Sequence, residues 1–99
     1  MGEVLLTFHC VTREADTIAN TLRTLTGQPV HVRAETVHGR DFGDAGVTEQ
    51  VRGTLARAAV EVLAPRAKAD ELVAAVASGR RAHPVRWQMT PVLARGRIA

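Results

Sequence analysis

The chain has 99 residues, 45% hydrophobic, 23% charged and 3% aromatic, the profile of one compact domain (residues 1–99) whose small core of Val, Leu, Ala and Ile gains from association with further copies. Its formal charge of +3 comes from 13 Lys and Arg against 10 Asp and Glu; these are scattered apart from Arg80-Arg81 and Arg95/Arg97 and lack interleaved aromatics, which argues against nucleic acid as a partner. One cysteine makes no intrachain disulfide, Met-Gly-Glu-Val-Leu is no secretory start and no apolar run spans a bilayer, so a cytoplasmic protein without direct membrane insertion is expected.

Glu3 to Cys10 sets Val4, Leu6, Phe8 and Cys10 against Leu5, Thr7 and His9, which predicts a strand apolar on both sides and central in its sheet. Thr12 is placed to cap a helix carrying Ala15, Ile18, Ala19, Leu22 and Leu25 at helical spacing, and Gly27 closes it. Pro29 opens a second strand with Val30, Val32 and Ala34 inward and His31, Arg33 and Glu35 outward. Residues 39–53 follow, rich in glycine and mixed charge, with no hydrophobic period. A connection this long where a tight hairpin would serve is functional or disordered, and it is expected to be mobile.

Thr54 to Ala64 alternates again, with Ala56, Ala58, Val60, Val62 and Ala64 on one side and Leu55, Arg57, Ala59, Glu61 and Leu63 on the other. Pro65 opens a second helix with the stripe Ala69, Leu72, Val73 and Val76, ended by Gly79. Val85 to Val92 reads as a fourth strand, and Pro91 favours an edge position or a strand end. The order β-α-β-β-α-β makes a ferredoxin-like α+β fold: a four-stranded antiparallel sheet with both helices on one face. The other face carries Leu5, Ala59 and Leu63, expected to form an apolar patch that cyclic assembly would bury.

Arg80, Arg81, Arg95 and Arg97 come in pairs outside regular structure, and guanidinium forks bind phosphate or carboxylate bidentately. Arginines beyond a helix C-terminus also complement its dipole without any ligand. His9, Cys10, His31, His38 and His83 are of metal-binding type, but no Cys-x-x-Cys or His-x-x-x-His spacing occurs and His9 and Cys10 alternate onto opposite faces. No nucleophile stands beside a base, and Asp41, Asp44 and Glu49 form no recognisable acid/base set, so the protein is expected not to be an enzyme. Trp87 reads as core or interface packing.

In the long loop, Phe42-Gly43, Gly46, Thr48-Glu49 and Arg52-Gly53 occur in an order that resembles the T-loop of PII-type signal-transduction proteins. Arg95-Gly96-Arg97-Ile98, Glu61-Val62-Leu63-Ala64-Pro65 and Pro91-Val92 extend the resemblance over nearly the whole chain. It is nearest to short PII-like proteins of unassigned function, many encoded beside heavy-metal efflux systems. The resemblance implies a homotrimeric, non-enzymatic regulator whose loop residues Phe42, Thr48, Glu49 and Arg52 meet a partner protein, such as a membrane transporter or efflux component. It also implies a small ligand, for example an adenine nucleotide, held between neighbouring copies by Arg80, Arg81, Arg95, Arg97, Gly43 and Gly46.

The departures from the family pattern are specific. The tyrosine that some PII proteins have modified is Val51 here, and the glutamine that would hold magnesium and 2-oxoglutarate is missing from Gly43-Asp44-Ala45-Gly46. The glycine-rich phosphate loop becomes Ser78-Gly79-Arg80-Arg81-Ala82-His83-Pro84, so a standard response to ATP and 2-oxoglutarate is not expected. The alternative is a cation-tolerance protein of the CutA type, binding a divalent metal through His9, Cys10 and His38. Neither ligand is needed for folding.

Overall fold

A strand apolar on both sides belongs in the interior of a sheet. The computed structural model, which describes residues 2–38, 54–79 and 83–99, gives Glu3–Val11 (β1) that position. A short 3-10 turn at Thr12–Glu14 leads into Ala15–Thr26 (α1), followed by Val30–His38 (β2), Thr54–Pro65 (β3), Arg66–Ala77 (α2) and Arg86–Val92 (β4). The strands form one antiparallel sheet in the order β2-β3-β1-β4. This is the expected ferredoxin-like arrangement, with β2 and β4 at the edges. Pro91 sits on an edge strand, where a missing amide is tolerated.

The register of β1 on β3 sets Leu6 opposite Val62, Phe8 opposite Val60 and Cys10 opposite Ala58. Successive side chains of a strand point to opposite faces, so these residues all share one face. There they pack against Ala15, Ile18 and Leu22 of α1 and Leu72 and Val76 of α2. Both helices therefore cover this side, the helix face, and the core lies between them and the sheet. Burial of a dozen such side chains, at roughly 25 cal/mol per Å² of apolar surface, is the main stabilising term.

Several local expectations are corrected. Thr12 does not cap α1: the chain first makes its 3-10 turn, and Glu14 precedes the helix with no side-chain cap. The other end is as expected, because Gly27 takes a left-handed φ of 67° and its N–H donates to the Arg23 carbonyl at 2.8 Å. On β2 only Val30 packs against the core, whereas Val32 is 46% exposed and Ala34 is exposed. An edge strand has no neighbour on one side, and this one continues beyond the helix-covered core. β4 starts at Arg86 rather than Val85, and β3 runs on to Pro65.

At Gly27 a Cβ would meet no atom within 4 Å, so an alanine there meets backbone strain alone. Gly27→Ala is expected to lower unfolding free energy by about 1 kcal/mol, read as a lower urea midpoint with an unchanged slope.

Candidate functional site

The face of the sheet away from the helices carries the opposite set of alternating residues, and it is more polar than expected. His9 of β1 and Glu35 of β2 meet across the intervening β3, with Nδ1 2.5 Å from Oε2. Arg33 of β2 pairs with both oxygens of Glu61, and Thr7 Oγ1 donates to Glu61 Oε2 at 3.2 Å. Ala59 lies in register between His9 and Arg33 and is 0% exposed, covered by these longer side chains. The expected continuous patch of Leu5, Ala59 and Leu63 is therefore not present. Its apolar part is reduced to Leu5 and Leu63, which pair with each other.

These two leucines open onto a cavity of about 750 Å³ at the end of the face, shared with Pro29, His31 and Glu61. Gln28, Val62 and the tail segment Arg95-Gly96-Arg97 complete the lining. Chain geometry explains the convergence. Gly27 turns the end of α1 so that Gln28 and Pro29 reach the start of β2, and Val92 pairs with Glu3 so that the tail emerges beside the start of β1. Arg95 then forms a fork-to-fork pair with Glu3, its Nη2 donating to Oε2 at 3.0 Å. Arg97 is exposed and has no carboxylate partner among the described residues. The cavity thus joins apolar walls to two guanidinium groups, an imidazole and the Glu61 carboxylate, whose charge Arg33 offsets, a combination that suits an anion carrying a flat apolar part.

Hydrogen bonds from Arg33 hold the Glu61 carboxyl below the usual range; partial burial opposes this, while the charge of Arg33, the Thr7 hydroxyl and the charge of His31 add to it. Glu61 is thereby kept ionised, and it raises Arg33 in return.

Of the residues singled out in the sequence, His31, Arg95 and Arg97 are brought to this cavity. Arg80, Arg81, Gly43, Gly46, Phe42, Thr48, Glu49 and Arg52 lie outside the described residues, as does the expected mobile loop. Cys10 is buried in the core, with Sγ 3.7 Å from the Ala58 carbonyl, while His9 is on the other face, and His38 alternates back to the helix side. Among the described residues no three His, Cys, Asp or Glu side chains gather as a metal-binding group, and no helix is long and apolar enough to cross a membrane. Glu3, Leu5, Gln28, Pro29 and Leu63 were not singled out for a site. The available signal was the apolar alternation on the outward face together with a proline two residues after the helix-ending Gly27.

A carboxylate whose folded pKa is depressed contributes stability above its ordinary pKa, and this is lost as pH falls through the lower folded value. The protein is therefore expected to lose stability in urea unfolding from about pH 5 downward. Because the pair is in contact with solvent, Glu61→Gln should lower neutral-pH stability and flatten that acid loss by only about 0.2–1 kcal/mol.

Comparison with known proteins agrees with this architecture. The chain is similar in structure to a DUF3240 family protein from Shewanella baltica OS155, known from a crystal structure at 2.40 Å resolution, with a TM-score of 0.79 and 20% identity over 100% of this chain and 99% of that one. At that identity the likeness shows the fold. No curated protein matches the chain. Residues 4–99 match the family described as "protein of unknown function (DUF3240)", and the chain belongs to that family.

Proposed function

We propose that the protein is a non-enzymatic regulator of the PII-like kind, which binds an adenine nucleotide or a similar phosphate-bearing molecule and acts on a partner protein through residues 39–53. The observation that carries this reading is the convergence of Arg95, Arg97 and His31 with Leu5, Leu63 and Pro29 around one 750 Å³ cavity. Ligand sites are concave, largely apolar and provided with a few placed polar groups, in a volume range that includes this one. The guanidinium groups supply donors for phosphate oxygens, and the leucines and proline supply a surface for a purine ring. The resemblance to PII-type proteins adds the assembly, a ring of three copies, and the kind of partner, a metal-efflux or transport system.

In the absence of ligand, Glu3 occupies the Arg95 fork. An entering phosphate exchanges with that carboxylate at Arg95 and gains Arg97 outright. Isothermal titration with ATP, ADP and cyclic AMP tests the reading. Joint replacement of Arg95 and Arg97 by alanine should weaken binding by roughly 30- to 5,000-fold, from charge-assisted bonds of about 1.5–3 kcal/mol each less about 1 kcal/mol for the lost Glu3 pair. If none of these nucleotides binds the parent protein, the reading fails.

Removing the competitor should act in the opposite direction. Glu3→Gln is expected to tighten nucleotide binding by about two- to five-fold, the range of an exposed ion pair, as measured in the same titration.

A further inference from the structure

At the end of the sheet where β1 begins, a smaller cavity of about 240 Å³ lies between the last turn of α1 and the first turn of α2, with Thr26, Pro65 and Lys68 in its wall. It shares Gln28, Leu63 and Arg95 with the 750 Å³ cavity, so the two adjoin. Arg95 is a wall of both, and its partner Glu3 lines the smaller one.

Local structure explains how a further cation arrives at this place. The register of Glu3 opposite Pro65 ends β3 beside the start of β1, and the Arg66 N–H donates to the Gly2 carbonyl at 2.9 Å as α2 begins. Lys68 is therefore in the first turn of α2, directly over that end of the sheet. Its Nζ donates to the Leu25 carbonyl in the last turn of α1 at 2.8 Å. An ammonium has three donors, so two remain. Lys68 has no carboxylate partner among the described residues, and the bond to Leu25 orders its long side chain before any ligand arrives.

The cations thus form a series through the joined cavities: Arg97 lines the larger, Arg95 lines both and Lys68 lines the smaller. Leu5 and Pro29 belong to the larger cavity alone. The complementary ligand has its apolar part at one end and several anionic groups in a row toward the other.

We propose that the smaller cavity is a second anion subsite, in which Lys68 binds the terminal phosphate of a nucleoside di- or triphosphate whose first phosphate is held by Arg97 and Arg95. The inference rests on the nucleotide reading above and narrows its ligand class to nucleotides with a linear phosphate chain. As Arg95 changes partner, the Glu3 side chain, 31% exposed, turns toward water and takes its negative charge out of the path of the chain. A mono- or cyclic phosphate ends at Arg95 and leaves Lys68 on the Leu25 carbonyl alone. Residues 78–84, the segment that corresponds to the phosphate loop of PII-type proteins, follow the last turn of α2, about 15 Å from Lys68 along the helix. Within one copy the phosphate chain therefore runs away from that segment.

Isothermal titration of the full chain with AMP, cyclic AMP, ADP and ATP gives the readout. The parent is expected to bind ADP and ATP about tenfold or more tighter than AMP and cyclic AMP, the gain from one charge-assisted hydrogen bond. Lys68→Met, which removes the ammonium, should lower ADP and ATP affinity by about 10- to 100-fold and leave AMP affinity within about twofold of the parent. Lys68→Arg keeps the charge and should restore most of the ADP affinity. A purely structural role through the Leu25 carbonyl would weaken all four nucleotides alike, so the ratio of ADP to AMP affinity decides between the two. Far-UV circular dichroism checks that both variants keep the fold. A parent that binds AMP as tightly as ADP, or a Lys68→Met variant that keeps the parent's ratio, overturns the subsite and leaves the nucleotide reading standing. If none of the four binds the parent, both fall.

Discussion

The register between β1 and β3 is the constraint from which the rest of the molecule follows. Because side chains alternate along a strand, a slip of one residue would exchange the two faces of the whole sheet. Leu6, Phe8 and Cys10 would leave the core, and Thr7 and His9 would enter it. Holding Phe8 opposite Val60 and His9 opposite Ala59 gives the helices an apolar surface of high complementarity. The same pairing gives the other face its bridges from His9 to Glu35 and from Arg33 to Glu61. Ala59 is part of the same condition, since a larger residue there would stand where the side chains on either side now close over it.

That polar lattice changes how the open face can be used. An extended apolar face would invite broad contact with another sheet, but a face crossed by ion pairs resists it, because each charge would have to give up water for little net gain. Among the described residues, the large apolar side chains left exposed are instead Trp87 on β4, Val32 on β2, Leu93 and Ile98 in the tail and, to a lesser degree, Leu25 on α1. Such placement favours contacts made by edges and segments over contacts made face to face.

The fold was legible in the sequence because its signals are local. Period-two alternation marked the strands, three- and four-residue spacing marked α1, and Gly27 and Pro65 marked boundaries that the structure retains. Apart from the local 3-10 turn that displaces Thr12 from the cap, the misreadings have a shared cause in neighbours distant in sequence. Val32 and Ala34 have the right pattern for burial, but the extent of the helix cover decides their exposure. Ala59 was expected to be exposed and is covered by residues from two other strands, 50 and 26 positions away. For the candidate site, the paired arginines pointed to Arg95 and Arg97, whereas Leu5, Gln28, Pro29 and Leu63 carry no chemical signature of their own. They form a wall only once β1, β2 and β3 are laid side by side.

The pair between Arg95 and Glu3 also governs how a ligand site of this kind responds to ionic strength. Two unoccupied guanidinium groups would attract an anion through fields that salt screens over about 8–10 Å, and affinity would fall steeply as salt is added. Here one of the two is already neutralised. Added salt loosens the internal pair and the incoming contact alike, so the two effects offset each other at Arg95, and the solvent-facing Arg97 carries most of the remaining sensitivity. In the proposed ligand site, a carboxylate at the start of β1 would thus act as a built-in counterion, buffering recognition against the ionic composition of its surroundings.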